Sequence, residues 1–356
     1  MSSITQKVDS VIGCLLGTAV GDALGLPYEG LSKQRQRKIY SRIDRHRFCF
    51  GKGMISDDTE HTCMVAQALI VSGGERAKFA RSLAWQFRFW LLSLPVNLGL
   101  ATLKAILKLW LGFSPDRSGV FSAGNGPAMR SAIIGVCYGD NLEKMRELVK
   151  VSARITHTDP KAEWGALAVA IAARFATNQS KVSPETYSQF MTEILPPEAP
   201  EFLELIELAC ESAIKQQSAE LFALDLGLNQ GVTGYVYHTV PVVIQIWLRH
   251  QTDYATAIQE VIRLGGDTDS TAAILGGIIG ASVGKVGFPQ QWLRDLWEFP
   301  KSREWLENLG RKLAEVRVSG RRQKPLSLLP DAIFLRNLFF LFVVILHGLR
   351  RLLPPY

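Results

Sequence analysis

Residues 265–283 read GGDTDSTAAILGGIIGASV, which places two glycines, two carboxylates and three hydroxyls directly before an apolar run of small residues. The leading glycines allow the backbone to turn sharply, and the polar residues that follow are typical of a helix N-terminus. The apolar part, residues 272–283, is too short to span a bilayer. We therefore predict that it forms the central, tightly packed helix of a core.

A second helix, predicted over residues 8–25, carries a row of glycines. Gly13, Gly17 and Gly21 fall four residues apart, so they form one row along which another helix backbone can approach closely. Asp22 and the modest length favour a buried helix of a soluble bundle over a membrane span. No segment shows a convincing alternating strand pattern, so the predicted fold class is all-α.

Length and composition describe a globular chain with a sizeable core. The chain has 356 residues, of which 47% are hydrophobic, and its formal net charge is +7, which favours anionic partners without choosing among them. The five cysteines form no C-x-x-C pair, and the N-terminus carries no secretory signal pattern. We therefore expect a reducing, cytoplasmic location.

Two segments are predicted to be irregular surface connections. The basic run over residues 33–47 contains few aromatic residues, so it reads as a solvated loop and no specific nucleic-acid partner is expected. Residues 183–200 are acidic and rich in proline, which indicates a connection between two helices.

The residues Asp267, Asp269 and Ser270 could serve either of two purposes. Carboxylates spaced by one residue, with hydroxyls between them, supply the oxygen ligands that magnesium, manganese and calcium prefer. Asp, Ser and Thr are equally the residues that cap a helix N-terminus. The stretch by itself leaves both interpretations open.

A second acidic helix start, containing Ser56, Asp57 and Asp58, precedes an apolar helical pattern. Asp57 with Glu60 could form a simple capping box, but a cap needs only one of two adjacent aspartates. If the two helix starts face each other, four carboxylates converge, and two like charges about 4 Å apart repel by about 4 kcal/mol at an effective dielectric near 20. Two divalent cations would balance this charge and acidify a water for hydrolysis. Glu29, in a loop flanked by glycines, is then the candidate general acid or base, or an outer ligand.

The sequence leaves two interpretations open for each of two further polar features. The loop over residues 122–130 opens a helix, whose free N–H groups could hold a phosphate, although a plain turn explains the residues equally well. His157 lies just before a helix capped by Asp159. A lone histidine is usually structural, so any role must come from its neighbours.

The C-terminal part of the chain departs from the rest. We divide the sequence into a helical domain over residues 1–315, a basic linker over 316–331 and an apolar tail helix over 332–356. The tail is interrupted by Arg336, Asn337 and His347, so its unbroken apolar run is short for a span. A helix lying in the membrane interface, an anchor through residues 332–353 and a helix packed on the protein all remain open.

Five motifs along the chain combine glycines with oxygen-bearing side chains in a definite order. They are Gly21-Asp22-Ala23-Leu24-Gly25 with Glu29, Ser56-Asp57-Asp58-Thr59, Gly124-Asn125-Gly126-Pro127-Ala128-Met129-Arg130, Thr156-His157 and Gly265-Gly266-Asp267-Thr268-Asp269-Ser270. Together they resemble the ADP-ribosylglycohydrolase family in order and relative spacing. The basic run and the apolar tail lie outside this resemblance.

The resemblance implies a compact orthogonal bundle of helices around a dinuclear site that holds two divalent cations, Mg²⁺ or Mn²⁺. It assigns Ser56, Asp57 and Asp58 to one metal, while Asp267, Asp269 and Ser270 complete the pair, with Asp269 as the bridging ligand. It places Glu29, with Asp267 and Asp269, in the catalytic set. Gly124, Asn125, Gly126 and His157 match positions that line the ADP-ribose pocket.

The function implied by the resemblance is hydrolysis of the bond between ADP-ribose and an acceptor, so the expected partner is an ADP-ribosylated protein or a small ADP-ribose conjugate. Two alternatives stay open. One is a non-catalytic ADP-ribose-binding protein of the same fold. The other takes residues 267–271 as the D-x-D-x-T pattern of aspartyl-phosphate phosphatases, whose nucleophile belongs at the end of a buried strand.

Overall fold

The computed structural model describes residues 3–48, 50–178 and 181–354, and its regular structure is helical. In these residues no strands pair into a sheet, and the β-structure consists of isolated bridges, so the predicted all-α class is confirmed. Two 3₁₀ helices cover Leu26–Tyr28 and Lys285–Gly287. The α-helices, numbered in chain order, are α1 Ser3–Gly25, α2 Lys33–Ile39, α3 Asp57–Ser72, α4 Arg76–Leu92, α5 Leu100–Trp110, α6 Pro115–Ser118, α7 Gly126–Met129, α8 Ala132–Tyr138, α9 Leu142–Arg154, α10 Pro160–Ala176, α11 Pro184–Ile194, α12 Pro200–Ile214, α13 Ala219–Asp225, α14 Val236–Arg249, α15 Tyr254–Arg263, α16 Thr268–Val283, α17 Gln290–Arg294, α18 Arg303–Ser319 and α19 Pro330–Arg350.

The two glycine-rich helices, α1 and α16, pack antiparallel at the centre with their backbones in contact. A Cβ atom added at Gly17 would lie 2.1 Å from the carbonyl oxygen of Gly276, and one added at Gly25 would lie 2.2 Å from that of Thr268. Both helices are almost entirely buried. The close approach expected from the glycine row is therefore confirmed, and it places the end of α1 beside the start of α16.

Two helices among the described residues are long and apolar enough to cross a membrane by length and composition, Thr5–Tyr28 and Pro330–Arg350. The most apolar window of the first is 100% buried inside the protein, whereas that of the second is 22% buried. The first is therefore the core helix of the bundle. The second, α19, leaves most of its surface exposed.

Helix α19 packs on the domain through the polar residues that interrupt its apolar run. The Arg336 guanidinium forms two hydrogen bonds with the Glu298 carboxylate, at 2.8 and 2.6 Å. The Asn337 amide donates to the carbonyl oxygen of Ser93 at 2.8 Å. These side chains are buried, so one face of the tail helix is part of the folded domain.

Three of the predicted segments are more ordered than the sequence indicated. Residues 33–39 of the basic run form α2, because Ser32 caps the helix and Gln36 is buried beneath it. Within residues 183–200 lies α11, which buries Tyr187, Met191 and Ile194 along one face. The predicted linker over 316–331 is helical up to Ser319, where α18 ends. The charged residues of α2 and the prolines around α11 obscure the apolar periodicity of these two short helices, so the sequence pattern did not indicate them.

A half-buried carboxylate at the junction of α13, α14 and α15 predicts acid sensitivity. Glu260 accepts hydrogen bonds from Arg249 at 2.6 Å, His250 at 2.7 Å and the Ala219 amide at 3.0 Å. Burial opposes ionisation, but these partners lower the pKa of Glu260 to about 2. Because the folded-state pKa lies below the unfolded one, the stabilisation is present above the unfolded pKa and is lost as pH falls toward 2. Glu260→Gln should lower the free energy of unfolding at pH 7 by about 2 to 3 kcal/mol.

The measurement is urea unfolding of wild type and variant between neutral pH and acid, where the difference should shrink below the usual glutamate pKa. Glu211→Gln is the matched control, since Glu211 pairs with Lys215 at 3.2 Å on the exposed surface. Its effect should stay below about 0.5 kcal/mol. Equal effects of the two substitutions would contradict the assigned role of Glu260.

Candidate active site

A cleft of about 640 Å³ opens where the starts of α3 and α16 meet the loop that follows α1. Every site residue predicted from the sequence lines it, except Ser56 and Asp58, which are buried and do not contribute to its lining. The predicted residues that line the cleft are Glu29, Asp57, Gly124, Asn125, Gly126, His157, Asp267, Asp269 and Ser270. The fold thus gathers into one cleft residues that lie more than two hundred positions apart in the sequence.

Asp22, near the end of α1, holds the start of α3 in place. Its carboxylate accepts hydrogen bonds from the Ser56 amide at 3.0 and 2.9 Å, and from the Thr59 amide and hydroxyl at 3.1 and 2.5 Å. Asp22 is fully buried, and burial raises its pKa to about 6 in spite of these donors. Its position fixes the direction in which Asp57 and Asp58 project.

The two acidic helix starts face each other across Asp58. One carboxylate oxygen of Asp58, Oδ2, accepts hydrogen bonds from the Ser56 hydroxyl at 3.1 Å and from the Ser270 hydroxyl at 3.3 Å. Ser56 is also the N-cap of α3, where its side chain accepts from the Asp58 amide. Ser56 can therefore cap α3 and still have its hydroxyl oxygen beside the carboxylate cluster.

Two buried carboxylate oxygens in this cluster, Asp58 Oδ1 and Asp269 Oδ1, have no hydrogen-bond partner in the structure. Burial is the main cause that raises the pKa of Asp57, Asp58 and Asp269 well above the usual range, and neighbouring carboxylates raise it further. A buried charge without a partner is unfavourable. The cluster therefore has acceptor oxygens in excess of the donors around it.

This donor set fits a hard cation. Carboxylate and hydroxyl oxygens are the ligands that Mg²⁺ and Mn²⁺ prefer, and two of the oxygens still lack a partner. Among the described residues, no group of three or more His, Cys, Asp and Glu side chains is already arranged as a metal cage. Enclosing an ion would therefore require these side chains to move.

Glu29 lies at the edge of the cleft, where the Asn97 amide donates a hydrogen bond to it at 2.9 Å. Burial, followed by the charge of Asp267, raises the pKa of Glu29 to about 7. Asn97 adopts a left-handed backbone conformation with φ of 64°, which asparagine tolerates better than most residues. A carboxyl group with this pKa can both accept and donate a proton near neutral pH.

Asn125 connects the glycine-rich loop to the start of α16. Its side-chain amide donates hydrogen bonds to Asp267 Oδ2 at 2.7 Å and to the Thr239 hydroxyl at 3.1 Å. Gly266, at φ of 85°, passes so near the 231–234 loop that an added Cβ would lie 2.0 Å from the Val232 carbonyl oxygen. The sharp turn expected of this glycine is therefore observed, and it lets a second loop line the cleft.

His157 packs against the glycine-rich loop. A Cβ atom added at Gly124 would lie 3.1 Å from its Nε2, and one added at Gly126 would lie 3.1 Å from its Cε1. Its Nδ1 lies 2.8 Å from the Thr156 hydroxyl, which accepts a hydrogen bond from Arg130 at 2.6 Å. Burial, and then the Arg130 charge, lower the pKa of His157 to about 3, so the imidazole is neutral at ordinary pH.

Reading the sequence left three parts of this cleft without a role. Asp22 belongs to one of the motifs of the resemblance and is a carboxylate in an apolar helix, but no pattern in the sequence assigns it the role of holding the start of α3. Asn97 follows Pro95 by two positions, and nothing in the helical pattern assigns it to the cleft. The loop over residues 230–234 also lines the cleft, and its position depends on long-range packing.

The aspartyl-phosphate interpretation of Asp267 does not fit the fold. Asp267 is the residue before α16, and in the described part of the chain no sheet provides the strand end that such a nucleophile requires.

Comparison with known proteins agrees with the motifs gathered in the cleft. A family model described as ADP-ribosylglycohydrolase matches residues 3–323. A protein of Archaeoglobus fulgidus described as uncharacterized is 34% identical over 314 residues, which are 86% of this chain and 96% of that protein. The ADP-ribosylhydrolase ARH3 of Gallus gallus is 26% identical, with 83% of this chain and 91% of that protein covered.

A solved structure described as an ADP-ribosylglycohydrolase-related protein complex superposes with a TM-score of 0.63 at 25% identity, covering 88% of this chain and 99% of that one. Because the family model extends over most of the sequence, and the fold agrees with it, the match is not confined to one motif. The chain belongs to the ADP-ribosylglycohydrolase family, whose members are hydrolases acting on glycosyl bonds.

Proposed function

We propose that the protein hydrolyses the bond between ADP-ribose and an acceptor on a protein or small conjugate, with the help of two divalent cations, Mg²⁺ or Mn²⁺. The observation that carries this proposal is the pair of buried, unpartnered carboxylate oxygens on Asp58 and Asp269, on facing helix starts beside one cleft. The relative ARH3 is named as an ADP-ribosylhydrolase, which supports the substrate class.

The residues that would hold the cations are the two acidic helix starts. When bound, divalent cations balance the carboxylate charge and lower the pKa of a water. The ligands in this proposal are Ser56, Asp57, Asp58, Asp267, Asp269 and Ser270.

The chain's own groups orient the substrate and move the proton. The Asn125 side-chain amide donates to the Asp267 carboxylate, which fixes the orientation of that carboxylate. Glu29, which accepts a hydrogen bond from Asn97 at the edge of the cleft, takes a proton from the attacking water or returns one to the leaving group in this proposal. Gly124 and Gly126 leave a wall without side chains next to neutral His157, where an ADP-ribose group can approach the backbone.

Chelation is the direct test. Treatment with EDTA should abolish hydrolysis of ADP-ribosylated substrates, and added Mg²⁺ or Mn²⁺ should restore it. The same cations should raise the melting temperature of the chelated protein, because a ligand that binds only the folded state stabilises it. Arginine-linked, serine-linked and acetyl-linked ADP-ribose substrates should be compared, because this panel identifies the acceptor.

Full turnover in EDTA would contradict the metal proposal. Calorimetry that detects ADP-ribose binding, with no turnover of any substrate in the panel, would favour the non-catalytic alternative.

A further inference from the structure

The outward surface of α19 is apolar along its length. The interrupting polar residues Arg336, Asn337 and His347 are directed toward the domain, so they do not break this surface. Large apolar side chains cover the rest of this surface, and each is between 38% and 66% exposed. The surface continues past the end of the helix to Leu352 and Leu353. The exposed residues are Phe334, Leu335, Leu338, Phe339, Leu341, Phe342, Ile345, Leu346, Leu349, Leu352 and Leu353.

The apolar surface continues from the helix onto the domain. Trp297 and Phe299 are 54% and 62% exposed, and with Met54, Leu335 and Phe339 they line an open groove of about 390 Å³. The rings of Trp297 and Phe339 meet edge to face at 5.8 Å. A continuous apolar patch of this kind marks a binding surface, and tryptophan at its border is typical of a membrane interface.

The inward contacts of α19 oppose its leaving the domain to cross a bilayer. Arg336 donates to both oxygens of Glu298 and to the carbonyl oxygen of Ile55 at 2.6 Å. The Glu298 side chain is 1% exposed and that of Arg336 is 6% exposed. Removing the helix would leave a buried carboxylate without its counter-charge, which is strongly unfavourable. A docked helix that keeps this pair exposes only its outer face.

The charges flanking α19 favour an anionic partner over a second copy of the chain. Between residues 320 and 354 the exposed basic residues are Arg321, Arg322, Lys324 and Arg350, against one exposed acidic residue, Asp331. A symmetric dimer through this face would bring the same positive segments together, and like charges oppose association. Anionic lipid headgroups would instead complement them.

We propose that α19 is an interfacial helix, whose outer face lies in the headgroup region of an anionic lipid bilayer while its inner face stays docked on the domain. The residue after its C-terminal end packs on the loop at the edge of the cleft, because Arg351 donates to the carbonyl oxygens of Pro27 and Glu29 at 2.6 and 2.9 Å. The membrane-facing helix therefore contacts the loop that carries Glu29. This inference does not depend on the proposed hydrolysis.

The test is flotation of the full-length protein with vesicles of phosphatidylcholine alone or mixed with phosphatidylglycerol. The protein should float with the mixed vesicles and about tenfold less with the neutral ones. The combined variant Phe342→Gln, Leu346→Gln, Leu349→Gln should reduce the partition coefficient by about tenfold or more. An alkaline carbonate wash should release the bound wild type, since an interfacial helix is not irreversibly inserted.

A matched control changes three equally exposed apolar residues elsewhere, on α12 and α13: Leu208→Gln, Ile214→Gln and Leu221→Gln. It should float like wild type, and both variants should keep the wild-type melting temperature in the absence of lipid. Absence of flotation, equal flotation with both vesicle types, retention after the carbonate wash, or a lipid-free dimer that only the α19 variant dissociates would each overturn the proposal.

Discussion

Gly17→Ala is expected to destabilise the folded protein by about 3 kcal/mol or more, because one added methyl group would separate the two central helices. The Cβ atom would lie 2.1 Å from the Gly276 carbonyl oxygen and 3.1 Å from the Gly280 Cα. Both neighbours are backbone atoms of a buried helix, so no side-chain rotation can make room. Alanine is intrinsically more favourable in a helix than glycine by about 0.5 to 1 kcal/mol. The expected decrease in the free energy of unfolding therefore comes from the backbone clash alone.

Thermal unfolding measures this effect, with an expected decrease in melting temperature of about 4 °C or more. Gly348→Ala is the matched control, since it also replaces a helical glycine, in α19, and an added Cβ there meets nothing within 4 Å. It should be neutral or slightly stabilising. If Gly17→Ala is as well tolerated as the control, the backbones of α1 and α16 have room for a methyl group at this position.

The central helix pair was predictable because its signal is local. The glycine row of α1 and the small residues of α16 determine how near two backbones can come, whatever the rest of the chain does. The acidic helix starts were predictable for a similar reason, since adjacent aspartates such as Asp57 and Asp58 exceed what a cap requires. Fold class and the two acidic helix starts follow from such short patterns, whereas Gly124, Asn125, Gly126 and His157 were assigned only through the family resemblance.

The remaining features depend on contacts between distant parts of the chain. Helix α11 is short and lies among prolines, so the sequence pattern does not indicate it. Its Tyr187 is buried against α10, where it donates to the Ala168 carbonyl oxygen at 3.0 Å. Asn97 reaches Glu29 from a loop sixty-eight positions away. The polar residues of α19 showed that its apolar run is interrupted, but not that Arg336 pairs with Glu298. The hydrophobic periodicity of a segment does not report such contacts between distant segments.

Asp269→Asn should reduce hydrolysis by at least about a hundredfold, because it removes one charged oxygen donor from the proposed cation site. The same substitution should stabilise the chelated protein by about 1 kcal/mol or more, since Asp269 is 4% exposed, its Oδ1 has no partner, and carboxylates surround it. In wild type Mn²⁺ should raise the melting temperature, and in the variant this increase should be much smaller. A loss of activity with a gain in metal-free stability is the combination that a cation site predicts.

Glu60→Gln provides the contrast, because it neutralises another buried carboxylate nearby whose charge is already compensated. Lys301 forms an ion pair with Glu60, and the Trp90 indole donates to it at 2.6 Å. Although burial opposes ionisation, the Lys301 charge keeps the pKa of Glu60 below its ordinary value. Its loss should therefore destabilise the protein by about 3 to 5 kcal/mol, with or without metal. Urea unfolding in EDTA and in Mn²⁺ distinguishes a cation ligand from a structural ion-pair partner. If the metal-free Asp269→Asn protein is destabilised like Glu60→Gln, Asp269 is a structural partner and not a cation ligand.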